Sequence, residues 1–338
     1  MKLIEDEQRI HMSTLKEVAD KAGLSVSTVS YVLNGKKRVR EETYQRIMAA
    51  VDEVRYVPNQ LARSLRTKST LTIGVIVPDI SNQFFPEIVK GIEDFSYEKN
   101  YNIILCNTDN NPKREALAVE ALLSKDIDGI IFIGTAESSI MLQERHNIPI
   151  VVVDRKLVGN YISVTTDNYT GGYLATEHFI QSGHRSIALF TGPLLITSFF
   201  DRMRGYRDAL FNNKCQYNEK VIIECDFTSQ AGYNAVQKNS AILESVHAIF
   251  ATNDLMALGI IRALLETGRQ IPADIAVIGY DDIYTASIYY PSLSTVRQPK
   301  YEMGKEAASL LIRSIHGARI EETQIEMKPT LVIRETCP

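Results

Sequence analysis

The sequence predicts an α/β protein with a small all-helical head and a larger body of two doubly wound subdomains. Three observations predict it. Over residues 13–57 apolar residues recur at helical spacing between capping and glycine signals. From residue 71 onward short apolar runs alternate with amphipathic stretches, the pattern of parallel sheets covered on both faces. Charge is divided as well: residues 1–68 hold 13 Lys and Arg against 9 Asp and Glu, and the rest hold 24 against 32. A basic head on an acidic body is the asymmetry expected when one domain touches phosphates and the other does not. The body, about 270 residues from position 69, is long for one sheet, so two subdomains are expected.

Residues 1–12 are polar and unpatterned and are expected to form a disordered leader. The head proper spans 13–57. Thr14-Leu15-Lys16-Glu17 has the form of a capping box, with Leu15, Val18, Ala19 and Ala22 on one helical face. Gly23 breaks that helix, Ser25 caps the next, and Asn34-Gly35 stops it. Two short helices joined by a tight turn make a helix-turn-helix. In that motif the first residues of the second helix meet base edges in the major groove. Here they are Val26, Ser27 and Thr28, with Ser30 and Tyr31 on later turns, while Val29, Val32 and Leu33 have the spacing of a core face. Lys36, Lys37 and Arg38 follow as a basic loop suited to phosphates. A third helix is expected over 41–54, with Tyr44, Ile47, Met48, Val51 and Val54 as its stripe.

Residues 58–68 read as a linker able to form about two helical turns. Pro58 precedes Asn59, a good N-cap, and Leu61 and Leu65 alternate with Arg63, Arg66 and Lys68. So short a helix is marginal in water unless a partner packs on it, which makes it a candidate switch.

In the body, 69–338, strands are expected at 71–77, 102–106, 129–133, 149–153, 186–190, 221–224, 248–251 and 275–279. Helices are expected at 87–98, 115–125, 171–182 and 254–267. Ligands of such sheets bind beyond the carboxyl ends of the strands. Polar and aromatic groups gather there: Asn82, Phe84 and Phe85 after the first strand, then Asp154 and Arg155, Arg202, Phe227, Asn253, Tyr280 and Asp281, and Gln298. Rings, carboxylates, amides and guanidiniums together suit a neutral polyhydroxyl ligand, with aromatics facing the ring and charged groups bonding hydroxyls.

Composition bounds the rest. With 45% hydrophobic and 23% charged residues the chain is that of an ordinary globular protein. No apolar run approaches a membrane span, so no membrane partner is expected. Four cysteines without metal-ligand spacing read as reduced thiols of a cytoplasmic protein, and no metal or cofactor is expected. G-x-G-x-x-G, P-loop and G-x-S-x-G motifs are absent, which argues against an enzyme. Asp154 and Asp281 resemble paired carboxylates for a glycoside. Arg155 beside Asp154 is expected to keep that carboxylate ionised, which suits binding better than acid catalysis.

The strings Leu15-Lys16-Glu17-Val18-Ala19, Ala22-Gly23-Leu24-Ser25, Thr28-Val29-Ser30, Val32-Leu33-Asn34-Gly35, Tyr56-Val57-Pro58-Asn59 and Ala62-Arg63-Ser64-Leu65 closely resemble the lac-repressor family of bacterial transcription regulators. The resemblance implies a pseudo-palindromic operator DNA, a homodimer, and a body like periplasmic sugar-binding proteins of the type that hold ribose. It also implies a hinge helix over 59–65 that lies in the minor groove, with Asn59 and Ala62 in it and Leu65 as the wedge between central base pairs. Tyr31 departs from the family, where Arg is usual, and Tyr280 stands where Phe is usual. In the ribose-binding group the positions of Asn82, Phe84, Phe85, Asp154, Arg155, Arg202, Phe227, Asn253, Asp281 and Gln298 carry sugar contacts. The expected function is repression of a sugar operon, most simply a ribose operon, released by the sugar. A catabolite-control regulator acting with a phosphoprotein corepressor is the alternative. No heptad pattern follows 329–333, which favours a dimer over a tetramer.

Overall fold

The computed structural model describes residues 13–33, 38–56, 69–134, 148–155 and 161–338. Its chain divides into two compact units between Thr70 and Leu71.

In the head, α1 (Leu15–Ala22), α2 (Val26–Leu33) and α3 (Glu41–Glu53) enclose a core of Val18, Ala19, Ala22, Val29, Val32, Ile47 and Ala50. The capping box forms: Glu17 N donates to Thr14 Oγ1 at 3.3 Å, and Thr14 N donates to Glu17 Oε2 at 3.4 Å. Gly23 ends α1 at φ 62, a left-handed conformation that an L side chain adopts at a cost. Ser25 Oγ accepts from Thr28 N at 3.2 Å and so caps α2. One expectation is corrected. Tyr44 is exposed: it lies in the first turn of α3, and the buried residues of that helix, Ile47 and Ala50, begin one turn further on.

The body holds two six-stranded sheets. The first has the order β11-β5-β4-β3-β1-β2 and is parallel throughout. Its strands are β1 (Thr72–Val77), β2 (Asn102–Asn107), β3 (Gly129–Phe132), β4 (Ile150–Val153), β5 (Ile162–Thr166) and β11 (Gln324–Met327). The second has the order β12-β10-β9-β8-β6-β7. It consists of β6 (Ile187–Thr191), β7 (Ile222–Glu224), β8 (Ala248–Ala251), β9 (Ala276–Asp281), β10 (Ser294–Arg297) and β12 (Thr330–Val332), with only the β10–β12 pair antiparallel. β1, β3, β4, β6, β8 and β9 are buried along nearly their whole length, as parallel strands covered by helices must be.

The chain passes between the sheets three times, after β5, after β10 and after β11. Each subdomain is therefore built from separated segments.

Candidate effector cleft and DNA-contact surface

A cleft of about 410 Å³, counting its mouth, opens between the carboxyl ends of the two sheets. It is lined by Asn82, Phe84, Phe85, Asp154 and Arg155 from the first subdomain and by Ser198, Phe199, Arg202, Phe227, Asn253, Asp281 and Gln298 from segments of the second and its crossing. Ten of the eleven residues named from the sequence thus converge on one cavity. Ser198 and Phe199 were not foreseen. The signal was present: Phe199 lies one helical turn before Arg202 on the helix Thr197–Asn212.

Tyr280 is placed differently. Successive residues of β9 point to opposite faces, so when Asp281 faces the cleft Tyr280 faces away. It is fully buried, its ring carries the Arg202 guanidinium at 3.6 Å, and its hydroxyl is pressed toward Gly171. Tyr280 therefore supports the cleft from behind rather than lining it.

Arg202 is the most constrained of the charged groups. Its Nε donates to Asn168 Oδ1 at 2.8 Å and its Nη1 to the Thr252 carbonyl at 2.5 Å, with Asp281 Oδ1 at 3.9 Å. Helix packing sets this up. A Cβ on Gly172 would stand 2.1 Å from the Arg202 carbonyl oxygen, so only glycine lets the helices Asn168–Gln181 and Thr197–Asn212 approach this closely.

The aromatic faces come in two pairs. Phe84 and Phe85 open the helix Phe84–Glu98 and meet edge to face at 5.1 Å. Phe199 and Phe227 stack at 6.0 Å with planes 29° apart. Asn82 Oδ1 accepts from Phe84 N, and Asn253 caps its helix through Met256 N while donating to the Phe227 carbonyl at 2.8 Å. Both amides thus hold the rings in place as well as lining the cavity.

The acids are held in unusual backbone. Asp154 has φ 69 and Asp281 has φ 117, in the region that favours glycine, although Asp tolerates it better than most residues. Burial pushes the Asp281 carboxyl up, to about 6, against the pull of Arg202 and the Gln298 hydrogen bond. Burial also raises Asp154, and Arg155 and Arg202 only partly oppose it. Arg155 Nε lies 4.0 Å from Asp154 Oδ2, too far for a strong pair, so desolvation sets the direction of the shift. Behind them Asp254 is also raised, by burial and by the neighbouring Asp281. Gln298 donates to Asp281 Oδ1 at 2.8 Å, while its own Oε1 is buried without a partner among the described residues. That oxygen is an acceptor waiting for a ligand hydroxyl or N–H.

In the head, Val26, Ser27, Tyr31 and Arg38 are exposed, and Thr28 and Ser30 are half-buried on the same helix. Val26 and Tyr31 are 43% and 50% exposed on this helix, open to contact from outside the head. Thr14 is exposed as well, with its hydroxyl used in the capping box. Lys36, Lys37, Asn59, Ala62 and Leu65 lie outside the described residues.

Residues 14–59 match the description "Bacterial regulatory proteins, lacI family", and residues 176–337 match "Periplasmic binding protein-like domain". The chain is 38% identical over 329 residues to the HTH-type transcriptional repressor PurR of Vibrio parahaemolyticus serotype O3:K6, covering 96% of this chain and 98% of that one. The chain belongs to the lacI family. As a LacI-family protein it is a DNA-binding transcriptional repressor and not an enzyme. The Lac repressor dimer bound to operator and the anti-inducer ONPF superposes with a TM-score of 0.88 at 28% identity, over 96% of this chain and 99% of that one. A LacI family regulator from Enterococcus faecium with bound ribose has a TM-score of 0.69 at 32% identity, over 78% of this chain and 98% of that one. This LacI-family body contains no helix long and apolar enough to cross a membrane among the described residues.

Proposed function

We propose that the chain represses a sugar-utilisation operon and that a ribose-like monosaccharide, bound between the subdomains, releases it from a pseudo-palindromic operator. The cleft carries this reading. It offers acceptors at Asp154, Asp281 and Gln298 Oε1, which has no partner among the described residues, donors at Arg155 and Arg202, and two aromatic pairs. Polyols present both donors and acceptors around a ring, which is what this inventory answers. The ribose-bound Enterococcus faecium protein supports it from outside.

The unit on DNA is a homodimer, with α2 of each subunit in a major groove, Lys36, Lys37 and Arg38 on phosphates, and the segment containing Asn59, Ala62 and Leu65 in the minor groove. Apolar surface on the first subdomain supports a subunit contact: Leu105, on the edge strand β2, and Leu117, on the helix Pro112–Leu123, are 40% and 64% exposed.

A second ligand class has one observation behind it. The near-parallel Phe199 and Phe227 rings would also take a flat heterocycle, and the 38% identical relative from Vibrio parahaemolyticus is a PurR repressor. A phosphoprotein corepressor fits less well. Phosphoserine needs clustered Arg and Lys, whereas the segment after residue 68 carries a net charge of −8.

A thermal-shift screen of the full chain against pentoses, hexoses and free nucleobases tests the proposal, because a ligand that binds the native state raises its apparent stability. D-ribose should shift the transition and loosen operator binding. A shift with nucleobases alone would replace the sugar reading.

A further inference from the structure

Lys300 opens the helix Lys300–Ile315 and is only 2% exposed. A buried ammonium is costly unless each N–H finds an acceptor. This one finds three: the Asp281 carbonyl at 2.7 Å, the Asp282 carbonyl at 2.6 Å and Glu87 Oε2 at 3.1 Å. Two of these belong to consecutive non-glycine residues at φ 117 and φ 52. Such a pair persists only where its surroundings over-determine it.

The surroundings are specific. The Asp282 carboxylate is gripped by Arg297 Nε and Arg334 Nη2, each at 2.6 Å. The Asp281 carboxylate receives Gln298 Nε2 and faces Arg202, with Asp154 and Asp254 as the neighbouring acids. Lys300 holds the two carbonyls between those side chains. Its third contact, Glu87, is half exposed and lies on the helix Phe84–Glu98, which packs closely against Lys300's own helix.

We propose that Lys300 is a positioning residue for effector recognition: its ammonium fixes the Asp281–Asp282 backbone in the left-handed region and so aims the Asp281 carboxylate into the cleft. This rests on the reading of the cleft as the effector site. Glu87 contributes an exposed charge and little positioning.

The test compares Lys300→Met, Lys300→Gln and Glu87→Gln in the full chain, titrated with D-ribose between pH 5 and 8, together with a ligand-free crystal structure of Lys300→Met. Lys300→Met should bind D-ribose about tenfold to a hundredfold more weakly, the worth of hydrogen bonds from a charged donor. The pH at which its affinity falls should move upward, because a positive charge beside Asp281 has gone. Lys300→Gln keeps N–H donors and should recover part of the affinity, while Glu87→Gln should stay within about twofold. In the Lys300→Met crystal the Asp281 φ should leave the positive region. Parent-like affinity with an unmoved pH profile overturns the proposal, and so does an unchanged Asp281 backbone. Should Lys300→Met fail to fold, Lys300→Gln carries the same comparison. Should the parent bind no D-ribose, the effector reading fails, and the backbone in the crystal still decides the role of Lys300.

Discussion

Gln83 and Thr285, 202 positions apart in sequence, hold each other across the mouth of the cleft: Gln83 Nε2 donates to Thr285 Oγ1 at 2.7 Å, and Thr285 N donates to Gln83 Oε1 at 3.0 Å. Gln83 stands at the N-cap position of the helix Phe84–Glu98 without capping it, so its side chain is free to reach the other subdomain. Its neighbours Asn82 and Phe84 line the cavity. The bonds exist only while the two subdomains are together, and water replaces them when the cleft opens.

Gln83→Ala should therefore favour the open form. Exposed neutral hydrogen bonds are worth about 1 kcal/mol net, so D-ribose should leave about fivefold faster. The Thr285 amide should lose hydrogen-exchange protection to a similar degree, while the Phe84 amide, held by Asn82, keeps its own. Stopped-flow release and amide exchange check the two halves. An unchanged release rate would leave the pair a surface contact without consequence.

Ligand affinity should depend on pH through Asp281. Burial raises its carboxyl to about 6 in the free protein, and ligand hydroxyls that donate to it favour the ionised form. The pKa is thus lower in the complex than in the free protein, so affinity is full above about 6 and falls as pH drops through that value. One pH unit below, about a tenth of the protein remains ionised and D-ribose should bind about tenfold more weakly than at pH 8. Asp154, also raised by burial, acts in the same direction. Asp281→Asn should bind weakly throughout and lose most of the pH dependence. Calorimetric titrations at pH 5, 6, 7 and 8 would show a flat parent profile if Asp281 makes no ligand contact.

Strands buried on both faces announced themselves in the sequence because each is an unbroken apolar run: Ala248–Ala251 falls where expected, and β1 and β4 differ by one residue at one end. β5 did not. Its Ser163, Thr165 and Thr166 are buried polar groups, and Ser163 is satisfied by Gln324 on β11, which the local sequence cannot show. The edge strands β11 and β12 are half exposed and only four and three residues long. Residues of the cleft were legible because the fold puts ligands at strand ends. Tyr280 misled because one residue decides which face of β9 a side chain takes. Ser198 and Phe199 follow β6 on the helix that carries Arg202, but a small polar and an apolar side chain there read as ordinary helix residues.

Gly172→Ala should cost about 1–3 kcal/mol, the usual penalty of overpacking a close contact. Its Cβ would meet the Arg202 carbonyl at 2.1 Å, and backbone cannot swing aside as a side chain can. The helices Asn168–Gln181 and Thr197–Asn212 must part, which draws Arg202 from Asn168. Stability by urea unfolding and D-ribose affinity should fall together, whereas Gly183→Ala, where nothing lies within 4 Å but φ is 92, should lower stability alone. Parent-like affinity in Gly172→Ala would separate the helix contact from the site.

Tyr31 should govern sequence preference and not general DNA affinity. It is half exposed on α2, on the helix whose first turn exposes Val26 and Ser27, and its ring bears no charge to exchange for counterions. Tyr31→Ala should cost about 1–3 kcal/mol on the cognate half-site and relax selection at one base position. Binding to random DNA and the dependence of affinity on salt should both stay as in the parent. Tyr31→Arg puts the residue usual in the family at this position. It should change the preferred base and, if the guanidinium takes a phosphate, steepen the salt slope by about 0.9 per subunit. Selection from a randomised half-site library, followed by titrations at several salt concentrations, reads both effects. If Tyr31→Ala weakens operator and random DNA equally, Tyr31 is a backbone contact and the base-reading assignment for this turn of α2 is wrong.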